Sequence, residues 1–386
     1  MQTLPGWLDA LPGADAMRAI DRWAIEERGI PSLDLMERAG SGLALTVDRL
    51  VPRGIIAVVC GTGNNGGDGF VAGRLLRELG RRVRVLTLAG AGEHRDDAGE
   101  NLRRLEGEHE PFQAAALAGA AVVVDAIFGT GFHGEPRGVA RDAIEAIAAC
   151  EAVVVSADVP SGVDASSGEA AQVSVRATAT ATFAAAMPGH WIAPGKQLTG
   201  ELHTIDIGIP AGAPADADVG LITRRVHALV PGRGAPSTKF SSGRVVVAGG
   251  SRGLTGAVCL ACEAAMRAGA GYVTALVPGS LEAIYELRLL EVMTGALPDE
   301  DGSLTLAAST ASPALATAGT GDVLSGVIAA LLAKGLEPFA AACAGVRRHA
   351  AAGRHAAAGT GPDGVIAGDV IAALPRALDG DPQPVP

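Results

Sequence analysis

The stretch Gly61-Thr62-Gly63-Asn64-Asn65-Gly66-Gly67-Asp68-Gly69 follows an unbroken apolar run and opens a helical pattern. At such a junction free backbone N–H groups and the helix dipole can hold an anion. A tight strand-to-helix turn with no ligand would use the same glycines. The flanking residues narrow the chemistry. A triphosphate-binding P-loop needs Lys-Ser/Thr after its last glycine, and here Phe70 and Val71 follow Gly69. A dinucleotide dehydrogenase wants an acid at the end of the second strand to hold a ribose, but that strand ends Thr87-Leu88-Ala89-Gly90.

Two further segments present acids where predicted strands end. One is Asp125-Ala126-Ile127-Phe128-Gly129-Thr130-Gly131; the other is Asp158-Val159-Pro160-Ser161-Gly162-Val163-Asp164. Each acid taken singly is equally a helix cap or a turn former. Asp68, Asp125 and Asp158 beside one phosphate would repel it unless a proton or a cation intervened. The donors on offer are carboxylate, Asn amide, Ser hydroxyl and backbone carbonyl. Such hard oxygens suit an alkali or alkaline-earth ion rather than zinc or copper.

The elements that must position these groups are legible from the apolar runs. Residues 15–50 carry helical spacing, broken at Pro31, with Ser32 expected as an N-cap. Runs at 55–60, 83–88, 121–126 and 152–157 predict strands buried on both faces of a parallel sheet. Helices are expected between them over 68–79, 98–105 and 139–149, with later strands at 176–183 and 201–207. Alternating β and α predict a doubly wound, Rossmann-like α/β domain over residues 1–220. A Pro, Gly, Ala and Ser-rich segment at 208–242 suits a linker, and a second α/β domain is expected over 221–386. There the pattern predicts strands at 244–248 and 272–277 and helices at 255–268 and 281–289.

With GTGNNGGDG, DAIFGTG, DVPSGVD and GELHTIDIGIP in order, the chain resembles the bifunctional NAD(P)H-hydrate repair enzymes, an epimerase domain fused to an ADP- or ATP-dependent dehydratase. The resemblance implies that the first half interconverts the S and R forms of hydrated NADH or NADPH with the help of K+. It implies that Asn64, Asn65, Gly66, Gly67 and Asp68 bind the hydrated nucleotide. Gly129, Thr130, Gly131, Phe132, His133, Gly134 and Glu135 would continue that site. Asn65, Asp125 and Ser161 would hold the K+, and Asp158 would touch the nicotinamide end as the catalytic acid–base. Where the family often has lysine before Pro-Gly, this chain has Met187.

Beyond residue 220 the chain resembles the dehydratase half, which has a ribokinase-like fold. Gly319, Thr320 and Gly321 would form an anion hole for a phosphoryl group of ADP or ATP with Mg2+. Asp322 would act as base, and Ala257 and Asp322 would contact substrate. Glycines that merely cap a helix are the alternative. On the order of a hundred residues that the family carries between Met293 and Pro313, the size of a small domain, are missing around residues 294–312. The shortened half is therefore expected to be inactive or unable to fold alone. Two other functions fit parts of the sequence: a non-catalytic nucleotide-binding module, and a ribokinase-like small-molecule kinase.

Composition sets the outer bounds. A chain of 386 residues, 48% apolar, can bury two cores. A net charge of -11 disfavours nucleic acid as a partner. The opening residues lack the basic and apolar regions of a secretory signal, and no apolar run approaches membrane-spanning length, so a cytoplasmic protein without a membrane partner is expected. A homo-oligomer is compatible with the sequence. Five cysteines with no repeated CxxC predict free thiols, and Cys259 and Cys262 are expected to face a core rather than a metal.

Overall fold

In the computed structural model the described residues are 4–90, 94, 96–105, 109–214, 217–232, 234, 236–297 and 316–378. They divide into two compact units. Residues 10–221 make most of the first, and residues 222–378, joined by 5–9, make the second.

The first unit opens with helices α1 (Ala14–Glu26) and α2 (Ser32–Leu50). It continues through β2 (Ile55–Cys60), α3 (Asn64–Glu78), β3 (Arg82–Thr87), α4 (Asp96–Arg104), β4 (Glu110–Pro111) and β5 (Ala120–Ala126). Then come α5 (Gly138–Ala149), β6 (Val153–Ala157), β7 (Ala179–Phe183), α6 (Gly195–Thr199) and β8 (Glu201–Ile205). Two short strands, β1 (Leu8–Leu11) and β9 (Val219–Ile222), pair as a small sheet of their own.

The main sheet has seven strands in the order β4-β3-β2-β5-β6-β7-β8, every pair parallel. From β2 the chain builds outward to β4, then returns to place β5 on the other side of β2. Ligands of open α/β sheets sit at that reversal, outside the carboxyl ends of the strands. The apolar runs are explained by burial on both faces. Ile56, Val58 and Cys60 pack with Leu43 of α2 and Phe70 and Leu76 of α3, while Ala57 and Val59 pack with Ile144 and Ile147 of α5. Each large side chain so enclosed contributes roughly 2 kcal/mol.

Some expected boundaries move. Helix α3 begins at Asn64, four residues before the expected Asp68, so all of the glycine-rich turn after Gly63 is helix. Gly66 permits this: a β-carbon there would overlap the Gly61 carbonyl oxygen. Ser32 is the first helical residue, not the cap; Pro31 stands at the cap without a side-chain hydrogen bond. The strand expected from 176 starts at Ala179.

The second unit holds a parallel sheet of β10 (Arg244–Ala248), β11 (Tyr272–Pro278) and β12 (Met293–Leu297). Strand β12 was not expected. Among the described residues five helices accompany the sheet: α7 (Gly256–Arg267), α8 (Glu282–Arg288), α9 (Thr320–Ala333), α10 (Pro338–Thr360) and α11 (Ala367–Ala373). The described residues of this shortened half nevertheless pack about one core, in which Tyr285, Val323, Val327 and Leu331 are enclosed. Cys259 and Cys262 lie in that core, as their helical spacing predicts. Residues 298–312 of the expected deletion zone lie outside the described residues. Among the described residues no helix is long and apolar enough to cross a membrane.

Candidate functional site

A cavity of about 820 Å3 opens in the first unit at the carboxyl ends of β2, β5 and β6. Its floor is the turn Thr62–Asn65 with Asp68. One wall is the loop after β5, from Ile127 to His133 and from Glu135 to Arg137, and Asp158 projects into it from the loop after β6. Helices α1 and α2 close the remaining side with Met17, Asp21, Leu35 and Met36.

The first turn of α3 supplies the anion-facing backbone. The first residue to make an intrahelical bond is Gly67, whose N–H reaches the Gly63 carbonyl at 3.1 Å. The N–H groups of Asn64, Asn65 and Gly66 precede it and carry the positive end of the helix dipole. Asn65 adds a side chain that is 8% exposed, with neither amide atom paired among the described residues. A buried amide left unpaired costs about 1–3 kcal/mol, so a partner is to be expected there.

Asp158 is the most constrained residue of the site. Its φ is +63°, a left-handed conformation that side chains adopt at a cost of about 1 kcal/mol or more. Four contacts hold it. Its N–H donates to the Ala181 carbonyl at 2.7 Å, and Oδ2 accepts from the Thr130 N–H at 2.7 Å and the Thr130 hydroxyl at 2.5 Å. The Asp158 carbonyl accepts from His190 Nε2 at 2.8 Å, since His190 Nδ1 accepts the Met187 N–H and leaves its proton on Nε2. Burial lowers the His190 pKa, against the pull of the Asp158 carbonyl and charge, and keeps the ring neutral. Gly129 lets the loop approach: a β-carbon there would lie 2.6 Å from Asp158 Oδ2 and 3.3 Å from Asn65 Cγ.

Asp125 and Ser161 lie beneath the cavity rather than on its surface. Asp125 is fully buried and accepts from Ser156 Oγ at 2.8 Å, the Ser161 N–H at 2.9 Å and Ser161 Oγ at 2.6 Å. Burial raises its pKa, and these hydrogen bonds oppose the rise. Gly66, Gly67 and Gly134 shape the backbone without lining the cavity. At the rim His133 Nδ1 meets Asp164 at 2.7 Å, and Phe132 stacks on Phe128 with ring centroids 4.9 Å apart. Met187, which stands where lysine was expected, is fully enclosed, its sulfur 3.7 Å from the Thr130 hydroxyl. The cavity's arginines are instead Arg18 and Arg137.

Sequence reasoning missed Asp21. The residue sits on the stripe of α1 that buries Met17, Ile20 and Ala24, and an acid on an apolar stripe was the available signal. Burial, then the charge of Asp158, pushes its carboxyl up to about 6. Burial together with Asp158 and Asp21 holds Asp68 well above the usual carboxylate range.

These shifts bear on stability. Asp21 and Asp68 keep protons in the folded chain that the unfolded chain has released above about pH 4. The folded state then binds more protons, so stability falls as pH rises from about 4 through about 6. Asp21→Asn removes part of that loss. At about pH 8 the variant should resist urea better than the parent by up to about 2 kcal/mol, with the gap closing below about pH 4. A variant weaker than the parent at high pH would contradict the assignment.

In the second unit, Gly319 caps α9 with φ +90°, and Thr320, Gly321 and Asp322 form the first turn. Burial raises the Asp322 pKa. Ala257, the second residue of α7, is exposed. Residues 298–315, a few positions before this turn, lie outside the described residues.

Comparison with known proteins fits this geometry. The chain is 38% identical over 212 residues to the NAD(P)H-hydrate epimerase of Pirellula staleyi, covering 52% of this chain and 93% of that protein. The chain belongs to the NAD(P)H-hydrate repair family. The epimerase of Rhodopirellula baltica is 36% identical over 201 residues, which covers 50% of this chain and 82% of that protein. The model for the YjeF-related protein N-terminus matches residues 32–189, and the model for NAD(P)H-hydrate dehydratase matches residues 300–376, a partial domain. Against the bifunctional NAD(P)H-hydrate repair enzyme of Moorella thermoacetica the identity is 40% over 304 residues, 74% of this chain. The chain spans 57% of that protein's length.

Proposed function

We propose that the first unit epimerises the S and R hydrates of NADH and NADPH. One observation carries this reading: a carboxylate locked in a left-handed conformation, Asp158, faces the same cavity as the free N–H groups that begin α3. The pyrophosphate of a dinucleotide fits that helix start, and the hydrated nicotinamide fits the Asp158 end. Asp158 exchanges a proton with the C6 hydroxyl as it leaves and returns. Thr130 and His190 fix the carboxylate for that work, and Asp68, held toward its acid form, donates a hydrogen bond without adding charge beside the phosphates. The oxygen donors Asn65, Asp125 and Ser161 suit K+, and the unpaired Asn65 amide is the feature in favour. When bound, K+ would offset negative charge next to the pyrophosphate.

For the second unit we propose the ADP- or ATP-dependent dehydration of the hydrate, with Mg2+, at Gly319, Thr320, Gly321 and Asp322. A glycine cap opening a helix with an acid in its first turn supports it. The unpaired cysteines fit a reducing compartment such as the cytoplasm.

The test is to incubate the protein with purified S or R hydrate, with and without ADP or ATP, and to follow both epimers. Epimer exchange without nucleotide supports the first proposal, and recovery of reduced cofactor only with nucleotide supports the second. Neither reaction would leave a binding module. Exchanging K+ for a bulky organic cation should slow epimerisation about tenfold or more in the parent. Asn65→Ala should abolish that response; an unchanged response would remove K+ from the site.

A further inference from the structure

Epimerisation of a hydrate asks for two protonation states at once. The departing hydroxyl needs a proton, and the returning water must lose one. A lone carboxylate at neutral pH is almost entirely ionised and offers only the second. A second carboxyl group that burial holds toward its acid form supplies the first.

Five carboxyl groups line this cavity, among them Asp21 on α1, Asp68 on α3 and Asp158 after β6. Among the described residues the Asp158 side chain is hydrogen-bonded through Oδ2 alone, which leaves Oδ1 for exchange. Asp68, enclosed on α3 just past its first turn and repelled by both neighbours, stays toward its acid form and serves as a fixed donor. Asp21 differs from it in being half-buried at the cavity wall, with no hydrogen bond to its carboxyl among the described residues. Other charges facing the cavity are Arg18 on the same helix, Asp97 on α4, and His133, Glu135 and Arg137 on the loop after β5. Arg18 is engaged by Asp15, and His133 by Asp164.

We infer that Asp21 is the second acid–base group of this site, presenting its carboxyl to the same cavity that Asp158 lines from the opposite element. The inference rests on the epimerase reading of the cavity. In the forward step the acid proton passes to the C6 hydroxyl. The C6–O bond breaks with its electron pair on oxygen, water departs, and the ring-nitrogen lone pair forms a C=N bond. Water then adds to C6 on the opposite face, the C=N pair returns to nitrogen, and the surplus proton lands on a carboxylate. Nothing is oxidised or reduced, and the reverse direction uses the same pair with roles exchanged. The Asp21 carboxyl, raised to about 6 by burial and by Asp158, is poised for such an exchange near neutrality.

The experiment compares the parent with Asp21→Asn and Asp21→Glu, using purified S and R hydrates between about pH 5 and about pH 9. Thermal melts confirm that each variant is folded. Asp21→Asn should lose about 100-fold in kcat with little change in KM, and the limb of the profile near pH 6 should vanish. Asp21→Glu should recover part of the rate. A folded Asp21→Asn with a normal kcat and an unchanged profile overturns the inference. Failure of the parent to epimerise would instead sink the functional reading, and the raised Asp21 carboxyl is then judged without activity. In that case 13C resonances of labelled aspartate carboxyls should show one group titrating near pH 6, absent in Asp21→Asn and shifted down in Asp158→Asn. A spectrum without that titration overturns the inference on its own.

Discussion

Asp158→Asn should leave the protein folded and reduce epimerisation by about 100- to 10,000-fold, the range a positioned acid–base group contributes. Asparagine is the right probe because it tolerates the left-handed backbone at φ +63° and still accepts the Thr130 N–H. The amide cannot take up or release a proton at any accessible pH. The loss should therefore fall on kcat, while the hydrate still binds the α3 end of the cavity with a KM near that of the parent. Stopped-time assays from each epimer would measure both constants. A rate near that of the parent would remove Asp158 from the chemistry and with it the main support for the epimerase assignment.

Gly66→Ala should be as severe for the fold. The new β-carbon would lie 2.0 Å from the Gly61 carbonyl oxygen, a backbone atom that cannot rotate away as a side chain can. Either the turn after β2 or the first turn of α3 must move. Overpacking of this kind costs about 1–3 kcal/mol, and backbone against backbone belongs at or above the upper end. Urea denaturation should show a midpoint lowered accordingly. The displaced turn would also scatter the N–H groups of Asn64 and Asn65, so hydrate affinity should fall in whatever fraction remains folded. Gly63→Ala is the control, because a β-carbon there meets nothing within 4 Å.

The two variants mark how far the sequence was legible. Strands β2, β5 and β6 announced themselves because both faces of a parallel sheet are covered, which writes a run dominated by Val, Ile and Ala. The acids at their ends followed at once. The start of α3 was not readable, since Asn and Gly are poor helix formers and only the packing of Gly66 on Gly61 makes a helix there. Asp125 looked equivalent to Asp158 in sequence, yet it ends inside β5 and turns under the cavity to Ser156 and Ser161. Asp21 escaped notice because it becomes part of the site only when α1 packs it against the cavity that Asp158 also lines, a tertiary placement that sequence neighbours do not encode. Strand β12 was hidden by its short, mixed composition, Met293-Thr294-Gly295-Ala296-Leu297.

The left-handed twist at position 158 also shapes how such a protein could decay. Among the twenty residues, Gly and Asn accept that backbone with least strain, and both are one nucleotide away from Asp in the genetic code. A lineage that no longer needed the reaction could therefore drift through Asp158→Asn or Asp158→Gly without losing its architecture. Reversion would be equally short. Inactive descendants of this domain should carry those two replacements far more often than Asp158→Glu, which keeps the charge but not the geometry.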